Sequence, residues 1–237
     1  MSNWIEVAEK MMNIEISPKQ KEKFNSYEDE LVKWNERINL TSIRDREGIE
    51  IKHFLDSLTC IKVLQDMNGK SLIDVGTGAG FPGIPLKIIF PEMRLTLTDS
   101  VGKKADFCER VITILHLENC QVLKLRAEEM GVSELYREKF DCAAARAVAA
   151  LPTLTEYLLP LVKTGGIMLA QKGGNTSEEL LSAEHAIKRL GGKARDLIPI
   201  EIPGLPDPRF LVAVDKISHT PSAYPRRPGL PTKKPIL

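Results

Sequence analysis

The sequence is short of the features that most readily assign a chain to a class. Its four cysteines, Cys60, Cys108, Cys120 and Cys142, are scattered and form no C-x-x-C pair, so they read as small buried hydrophobes in a reducing cytoplasm, and no metal site is expected. No stretch approaches the roughly 20 apolar residues of a membrane span; the longest weakly polar run, Cys142 to Leu151, is interrupted by Arg146. The start, MSNWIEVAEKMMN, lacks the basic opening and apolar block of a signal peptide, and its apolar residues Trp4, Ile5, Ala8, Met11 and Met12 recur at helical spacing instead. Net charge is missing too. With 33 basic and 32 acidic side chains, the whole-molecule field points to neither nucleic acid nor membrane, and any binding field has to come from local clustering. There is no internal repeat. These absences describe a soluble cytoplasmic protein.

What is present is enough apolar material for a sizeable core, 43% of 237 residues. Residues 1–66 read as a helical extension. Ser17-Pro18-Lys19-Gln20 is a helix start, with Ser as N-cap and Gln three residues on, and Phe24, Tyr27, Leu31, Trp34 and Ile38 form one apolar stripe. A polar break, Asn39 to Glu47, precedes a further helix with the stripe Ile51, Leu55, Leu58 and Ile61. From Ser71 strand-like and helical runs alternate, the pattern of an α/β parallel sheet covered on both faces. Strands are expected at 71–75, 94–99, 121–125, 140–146, 166–171 and 196–202, and a last, antiparallel one at 209–217. Helices are expected at 83–90, 103–117, 151–162 and 177–190. The domain thus spans 67–217. Residues 218–237 hold five prolines and no acid and read as an extended basic tail.

The stretch LIDVGTGAGFPG, Leu72 to Gly83, contains two overlapping patterns. From Gly78 it fits G-x-G-x-x-G, a loop for a dinucleotide pyrophosphate; from Asp74 it fits D-x-G-x-G-x-G. A carboxylate at the end of the first strand opposes a pyrophosphate but suits the ammonium and sulfonium of S-adenosylmethionine. Pro82 removes an N–H that a phosphate would use, and there is no P-loop lysine. Gly76, Gly78 and Gly80 let a ligand approach the main chain, and Asp99, after the second strand, is placed to accept ribose hydroxyls. Asp74 could alternatively cap a turn. A nicotinamide-dependent oxidoreductase is therefore the disfavoured reading of this loop.

Further candidates lie at the same carboxyl edge of the sheet. Ala127 and Glu128 could read an adenine edge, and Phe81 is a packing residue or a ligand wall. Arg146 ends the fourth strand and needs an anion: Asp74 or another internal acid, the cofactor's carboxylate, or a group of the substrate. His53, Asp56 and Ser57, at i, i+3 and i+4, share a helix face and either line an acceptor site or tie the helix to the core. Lys172 is a candidate phosphate contact or an ordinary surface lysine. Arg226, Arg227, Lys233 and Lys234, with Tyr224, suit phosphates and a stacked base, or belong to a solvated tail. Lys103 and Lys104 open a helix where cations are unfavourable unless an anion is near.

Together, WNERINLTSIRD (34–45), HFLDSL (53–58), DVGTGAGFPGIPL (74–86), LTDSVGKKADF (97–107), RAE (126–128), ARAVA (145–149), QKG (171–173) and YPRRPGLPTKKPI (224–236) closely resemble the RsmG/GidB family of bacterial 16S ribosomal RNA guanine-N7 methyltransferases. The resemblance covers nearly the whole chain. It implies a class I S-adenosylmethionine-dependent methyltransferase fold, a Rossmann-like seven-stranded sheet with its last strand antiparallel. It also implies 16S RNA or the small ribosomal subunit as partner, and as acceptor N7 of one guanosine in the 530 loop. Gly76, Phe81, Ala127, Glu128 and Arg146 match the family's cofactor-contacting positions. Ala145 departs from the serine of many relatives, so a hydroxyl contact there is not expected. The competing classes are a methyltransferase for a small molecule or protein, and a non-catalytic RNA-binding protein that holds S-adenosylmethionine. A monomer is expected.

Overall fold

A computed structural model of the chain describes residues 4–237, so Met1 to Asn3 of the expected first helix lie outside the described residues. Helices α1 (Trp4–Met12) and α2 (Pro18–Asn35) lead, with the capping box at Ser17 and Gln20 formed as the sequence suggests. The polar break is an ordered loop: the Asn35 carboxamide accepts from Leu40 and Thr41 N–H and donates to Thr41 O. Asp45 then caps α3 (Arg46–Ile49), which runs into a π-helical segment, Glu50–Leu55, and on into α4 (Asp56–Leu58) and α5 (Ile61–Leu64).

The α/β part follows as β1 (Ser71–Val75), α6 (Gly83–Ile89), β2 (Arg94–Thr98), α7 (Gly102–Ile114), β3 (Cys120–Leu123), α8 (Ala127–Val132), β4 (Phe140–Arg146) and α9 (Leu151–Leu158). After a 3₁₀ turn come β5 (Val162–Gly173), α10 (Thr176–Arg189), β6 (Gly192–Ala194), β7 (Ile198–Ile202) and β8 (Leu205–Lys216). The sheet order is β3-β2-β1-β4-β5-β8-β6, with β7 also on β8. β1 to β5 are parallel, and β8 is antiparallel to β5, as expected. The strand expected at 196–202 is present as β7, which pairs with Leu205–Leu211, and an unexpected short strand before it, β6, pairs with Val214–Lys216, so both occupy one edge of β8. Pro199 is tolerated there because an edge strand has N–H groups with no ladder to complete.

Alternation along the strands divides the core in two. Leu72, Leu95, Leu97, Cys142 and Leu169 face α1, α2, α6 and α7, whereas Ile73, Val75, Ala143, Met168 and Val212 face α9 and α10. The N-terminal helices share the first cluster, so they are a layer of the sheet's packing and not an appendage. Trp4, Phe24, Tyr27, Phe54 and Phe81 meet with ring centroids 5.0–6.1 Å apart, contacts worth about 0.5–1.5 kcal/mol each beyond burial.

The expectation of an extended basic tail is corrected, and so is the alternative of a solvated one. Residues 218–237 cross the second face and form a short helix, α11 (Leu230–Lys233), with Pro225, Pro231 and Ile236 buried. Arg137 holds the start of this segment, donating to the carbonyls of Thr220, Tyr224 and, from across the turn, Gly131 at 2.6–2.7 Å. Carbonyls that would lack partners in a proline-rich stretch gain a charged donor, which fixes the chain's path.

Candidate active site

The sheet order reverses between β1 and β4, the switch point where open α/β sheets bind ligands beyond the strands' carboxyl ends. Two cavities open there, of about 510 and 150 Å³, with Gly76 in the wall of both.

The glycine loop forms their common rim. Gly76 and Gly78 have φ of +67° and +60°, conformations that an L side chain resists. A Cβ on Gly76 would lie 2.7 Å from Val148, whereas one on Gly78, which lines the larger cavity, would meet nothing within 4 Å. Gly80 lines neither cavity and packs under Tyr27 and Ile84. Asp74 also lines neither; it takes the turn-capping position, accepting from Thr77 Oγ1 at 2.7 Å and Gly83 N–H at 2.8 Å. Its other oxygen is buried without a hydrogen-bond partner, and burial raises its pKa to about 6. Asp99 accepts from Gly78 and Val101 N–H and keeps its place in the wall of the smaller cavity. There it joins Ala127, Glu128, Val148 and Tyr157.

The larger cavity brings together residues far apart in sequence: Thr41, His53 and Asp56 from the N-terminal layer, Phe81 from the loop, Arg146 from β4, Gln171 and Lys172 from β5, and Arg209 from β8. His53 and Asp56 do not pair directly. Arg146 lies between them, donating to Asp56 at 2.8 Å and meeting His53 Nδ1 at 3.1 Å, with its guanidinium 4.9 Å over the Phe81 ring. The anion Arg146 requires is thus Asp56, not Asp74. Arg209 approaches the other Asp56 oxygen at 3.8 Å. His53 stacks on Phe81 at 4.5 Å, so Phe81 is both a packing residue and part of the wall. Burial, then the Arg146 charge, lowers the His53 pKa to about 3. Nδ1 lies 3.1 Å from both the Arg146 guanidinium and the Lys52 carbonyl; because the guanidinium can only donate, a neutral ring is assigned its lone pair at Nδ1 and its proton at Nε2, 2.8 Å from Thr41 Oγ1. Ser57 turns away and donates to the His53 carbonyl.

The basic candidates fare differently. Lys172 lines the cavity but is engaged by Glu179 at 2.8 Å and the Ala149 carbonyl, and Arg226 is a bidentate partner of the fully buried Glu156. Neither is a loose cation waiting for a phosphate. Arg227, Lys233 and Lys234 are exposed, and Lys104 lines the larger cavity. The sequence reading missed Thr41, Gln171, Arg209 and Glu156. Gln171 was adjacent to a candidate, and its amide donates to the Asp56 carbonyl at 2.6 Å. Thr41 lies within the stretch 34–45 that carries the family resemblance, and Arg209 and Glu156 carry no local signal. Among the described residues there is no cluster of histidine, cysteine and carboxylate able to hold a metal, and no helix long and apolar enough to cross a membrane.

The family model of rRNA small subunit methyltransferase G matches residues 20–199. The chain belongs to that family. It is 48% identical over 226 residues to "Ribosomal RNA small subunit methyltransferase G" of Desulfitobacterium hafniense, covering 95% of this chain and 93% of that one. It is 49% identical to the protein of the same name from a Roseiflexus species, covering 94% of each. Solved structures that share the fold include a SAM-dependent methyltransferase from Aquifex aeolicus, with TM-score 0.54, 18% identity and coverage of 73% of this chain and 94% of that one. A SAM-dependent O-methyltransferase from Thermotoga maritima matches with TM-score 0.52, 14% identity and coverage of 70% and 66%. The architecture is the Rossmann-like class I methyltransferase fold.

Proposed function

We propose that the protein transfers a methyl group from S-adenosylmethionine to N7 of one guanosine in the 530 loop of 16S ribosomal RNA. The observation that carries the acceptor class is the charge around the larger cavity. Lys52, Lys104, Arg146, Lys172 and Arg209 line it, and although Lys172 is paired with Glu179 and Asp56 is shared by Arg146 and Arg209, positive charge is still in excess there, in a molecule whose net charge is only +1. Such local clustering suits a polyanionic acceptor. A closed apolar pocket, which a small-molecule acceptor would favour, is not what the lining provides.

The residues fit the donor. The partnerless Asp74 oxygen lies buried beneath the loop, where negative charge favours a cationic ligand above it, and Gly78 leaves a cradle that a side chain would occlude. Asp99 would hold the ribose hydroxyls, Ala127 and Glu128 the adenine edge, and Gly76, Phe81 and Arg146 the amino-acid end. When bound, S-adenosylmethionine supplies an electrophilic methyl group.

Guanine N7 carries an in-plane lone pair, so no base has to remove a proton from it. The cavity side chains agree with that requirement: His53 is neutral with both ring nitrogens engaged, and Asp56 is committed to Arg146. These groups are built to position, not to shuttle protons. Holding the base edge in a near-attack arrangement can lower the barrier by several kcal/mol, up to about 7–11 kcal/mol in the best cases. Donors such as Arg146 and Arg209 would orient guanine through O6, and Arg227, Lys233 and Lys234 would meet phosphates. His53, Asp56 and Lys172 would shape the acceptor side from within.

The test supplies methyl-labelled S-adenosylmethionine with small subunits, naked 16S RNA or transfer RNA, all lacking the modification, and then applies the reduction-and-aniline scission typical of 7-methylguanosine. Label at one cleavable 16S guanosine, lost in Arg146→Ala, is the expected result. Label on protein or a small molecule, or none despite cofactor binding, would remove the reading.

A further inference from the structure

The smaller cavity is finished by the chain's own C-terminus. Two of its lining residues, Glu128 and Tyr157, have their polar atoms held by the segment that follows Tyr224. Glu128 Oε1 accepts the Gly229 N–H at 2.9 Å, and the Tyr157 hydroxyl meets Thr232 Oγ1 at 2.9 Å. The segment is anchored immediately beside these contacts. Arg226 binds Glu156, the residue before Tyr157 on α9, through two guanidinium nitrogens and its own backbone N–H, while Thr153 donates to the Pro231 carbonyl. Pro225 packs against Gly131 of α8, so close that a Cβ there would lie 2.6 Å from its ring.

We propose that residues 225–233 are a strap that positions the adenosine half of the donor site, with Gly229 and Thr232 acting through Glu128 and Tyr157. This rests on the reading of that cavity as the adenosine side of an S-adenosylmethionine site. Its physical basis is that a glutamate side chain has several free rotors, and a carboxylate that must offer one edge to a ligand is useful only when they are frozen. Neither α8 nor β3 freezes this one. The bond to Gly229 does, and it depends on the left-handed backbone of Gly229, φ +80°, which aims the N–H at Glu128 and starts α11. The strap touches only the adenosine side, because the larger cavity is walled by other elements. Strap variants should therefore weaken donor binding and leave the chemical step intact.

Gly229→Ala is a clean perturbation, since an added Cβ meets nothing within 4 Å and its effect falls on the backbone alone. Thr232→Val removes one hydroxyl at an exposed position, and Thr232→Ser should restore it. The dissociation constants of S-adenosylmethionine and of 5′-methylthioadenosine, which carries the adenosine but no amino-acid end, are measured calorimetrically for each full-length variant, with melting temperature and turnover at saturating donor. Gly229→Ala is expected to weaken both ligands by the same factor, about tenfold, the equivalent of about 1.4 kcal/mol. Thr232→Val should do so by about threefold, with Thr232→Ser near wild type and turnover at saturation unchanged. Unaltered affinity in both variants, or a fall in saturated turnover at unaltered affinity, overturns the strap. If Gly229→Ala does not fold, the Val and Ser pair at Thr232 decides alone. Failure of the wild-type protein to bind either ligand is a different result: it removes the methyl-donor reading, and the strap proposal with it.

Discussion

The two cavities beside Gly76 are built on opposite plans. The larger is crowded with ionic side chains from β4, β5, β8 and the N-terminal helices, locked into a lattice through Arg146, Asp56, His53 and Thr41. The smaller is lined mostly by residues at the ends of β1 and β2, the segment after β3 and the start of α8, steadied by contacts from the C-terminal segment. Each terminal extension of the α/β domain completes one of them. Under the proposed function the difference is a division of labour: the donor is held by the Gly-rich loop and neighbouring strand ends, with a C-terminal brace, whereas the acceptor meets ionic side chains recruited from several distant segments.

The largest effect that could break this contrast is expected from Arg146→Met. Removing one partner of a buried ion pair costs about 3–5 kcal/mol where the other charge is stranded. Here Arg209, at 3.8 Å, partly relieves Asp56, so a loss of about 3 kcal/mol in urea denaturation is expected, with turnover on the RNA substrate falling more than about 100-fold. Binding of 5′-methylthioadenosine should be nearly unchanged. An equal loss for that ligand would mean that the two cavities are one cooperative unit.

Asp74→Asn comes next. The amide oxygen can still accept from Thr77 and Gly83, while the charge whose burial raises the Asp74 pKa to about 6 is gone. Above pH 6 the unliganded variant should melt no lower than the wild type. S-adenosylmethionine, which is cationic, should bind about tenfold more weakly, and the neutral 5′-methylthioadenosine should bind equally well. Equal weakening of both would assign Asp74 to loop shape alone.

Thr41→Val tests the lattice at its edge. It removes the acceptor of the His53 Nε2 proton and the partner of Ile43 N–H, so turnover should fall about tenfold from a loosened acceptor wall, by roughly one lost buried hydrogen bond. Adenosine-side affinity should stay constant.

The smallest net effect in the wild type is the pH dependence of stability, because two titrations oppose each other. The folded-state pKa of His53, about 3, lies below its unfolded value near 6.5. Its contribution is present above pH 6.5 and is lost as pH falls toward 3, because the unfolded chain takes up the proton first. Asp74 works in the opposite sense: with a folded pKa of about 6 against about 3.9 unfolded, its contribution is present below 3.9 and is lost as pH rises through 6. The two slopes oppose each other between pH 4 and 6. His53→Gln should therefore leave stability in that window falling with pH, and a variant whose profile parallels wild type would show that His53 does not titrate there.

Much of this was legible in the chain because it is encoded locally. The loop at 74–83, the capping box at Ser17, the main alternation of strands and helices, though not α8 or β6, and the antiparallel last strand follow from short patterns of glycine, cap residues and apolar period. The site was legible only in part. His53 and Asp56 could be placed on one helix face, but not on either side of a guanidinium 90 residues away. The π-helical segment that carries His53 has no sequence signal of its own. Arg226 and Lys172 looked like free cations because Glu156 and Glu179 were not known to lie against them.

The sequence by itself determined the α/β architecture, the glycine loop at the end of the first strand and a family resemblance that the comparisons bear out, since these depend on nearest-neighbour sterics and on the period of burial. Only the tertiary structure decided which charges are spent internally, that Asp74 caps the loop from below, and that the proline-rich tail is docked. Those outcomes depend on pairings across long loops, whose closure cost grows only slowly with separation. Distance along the chain therefore sets little limit on which partner a buried charge finds.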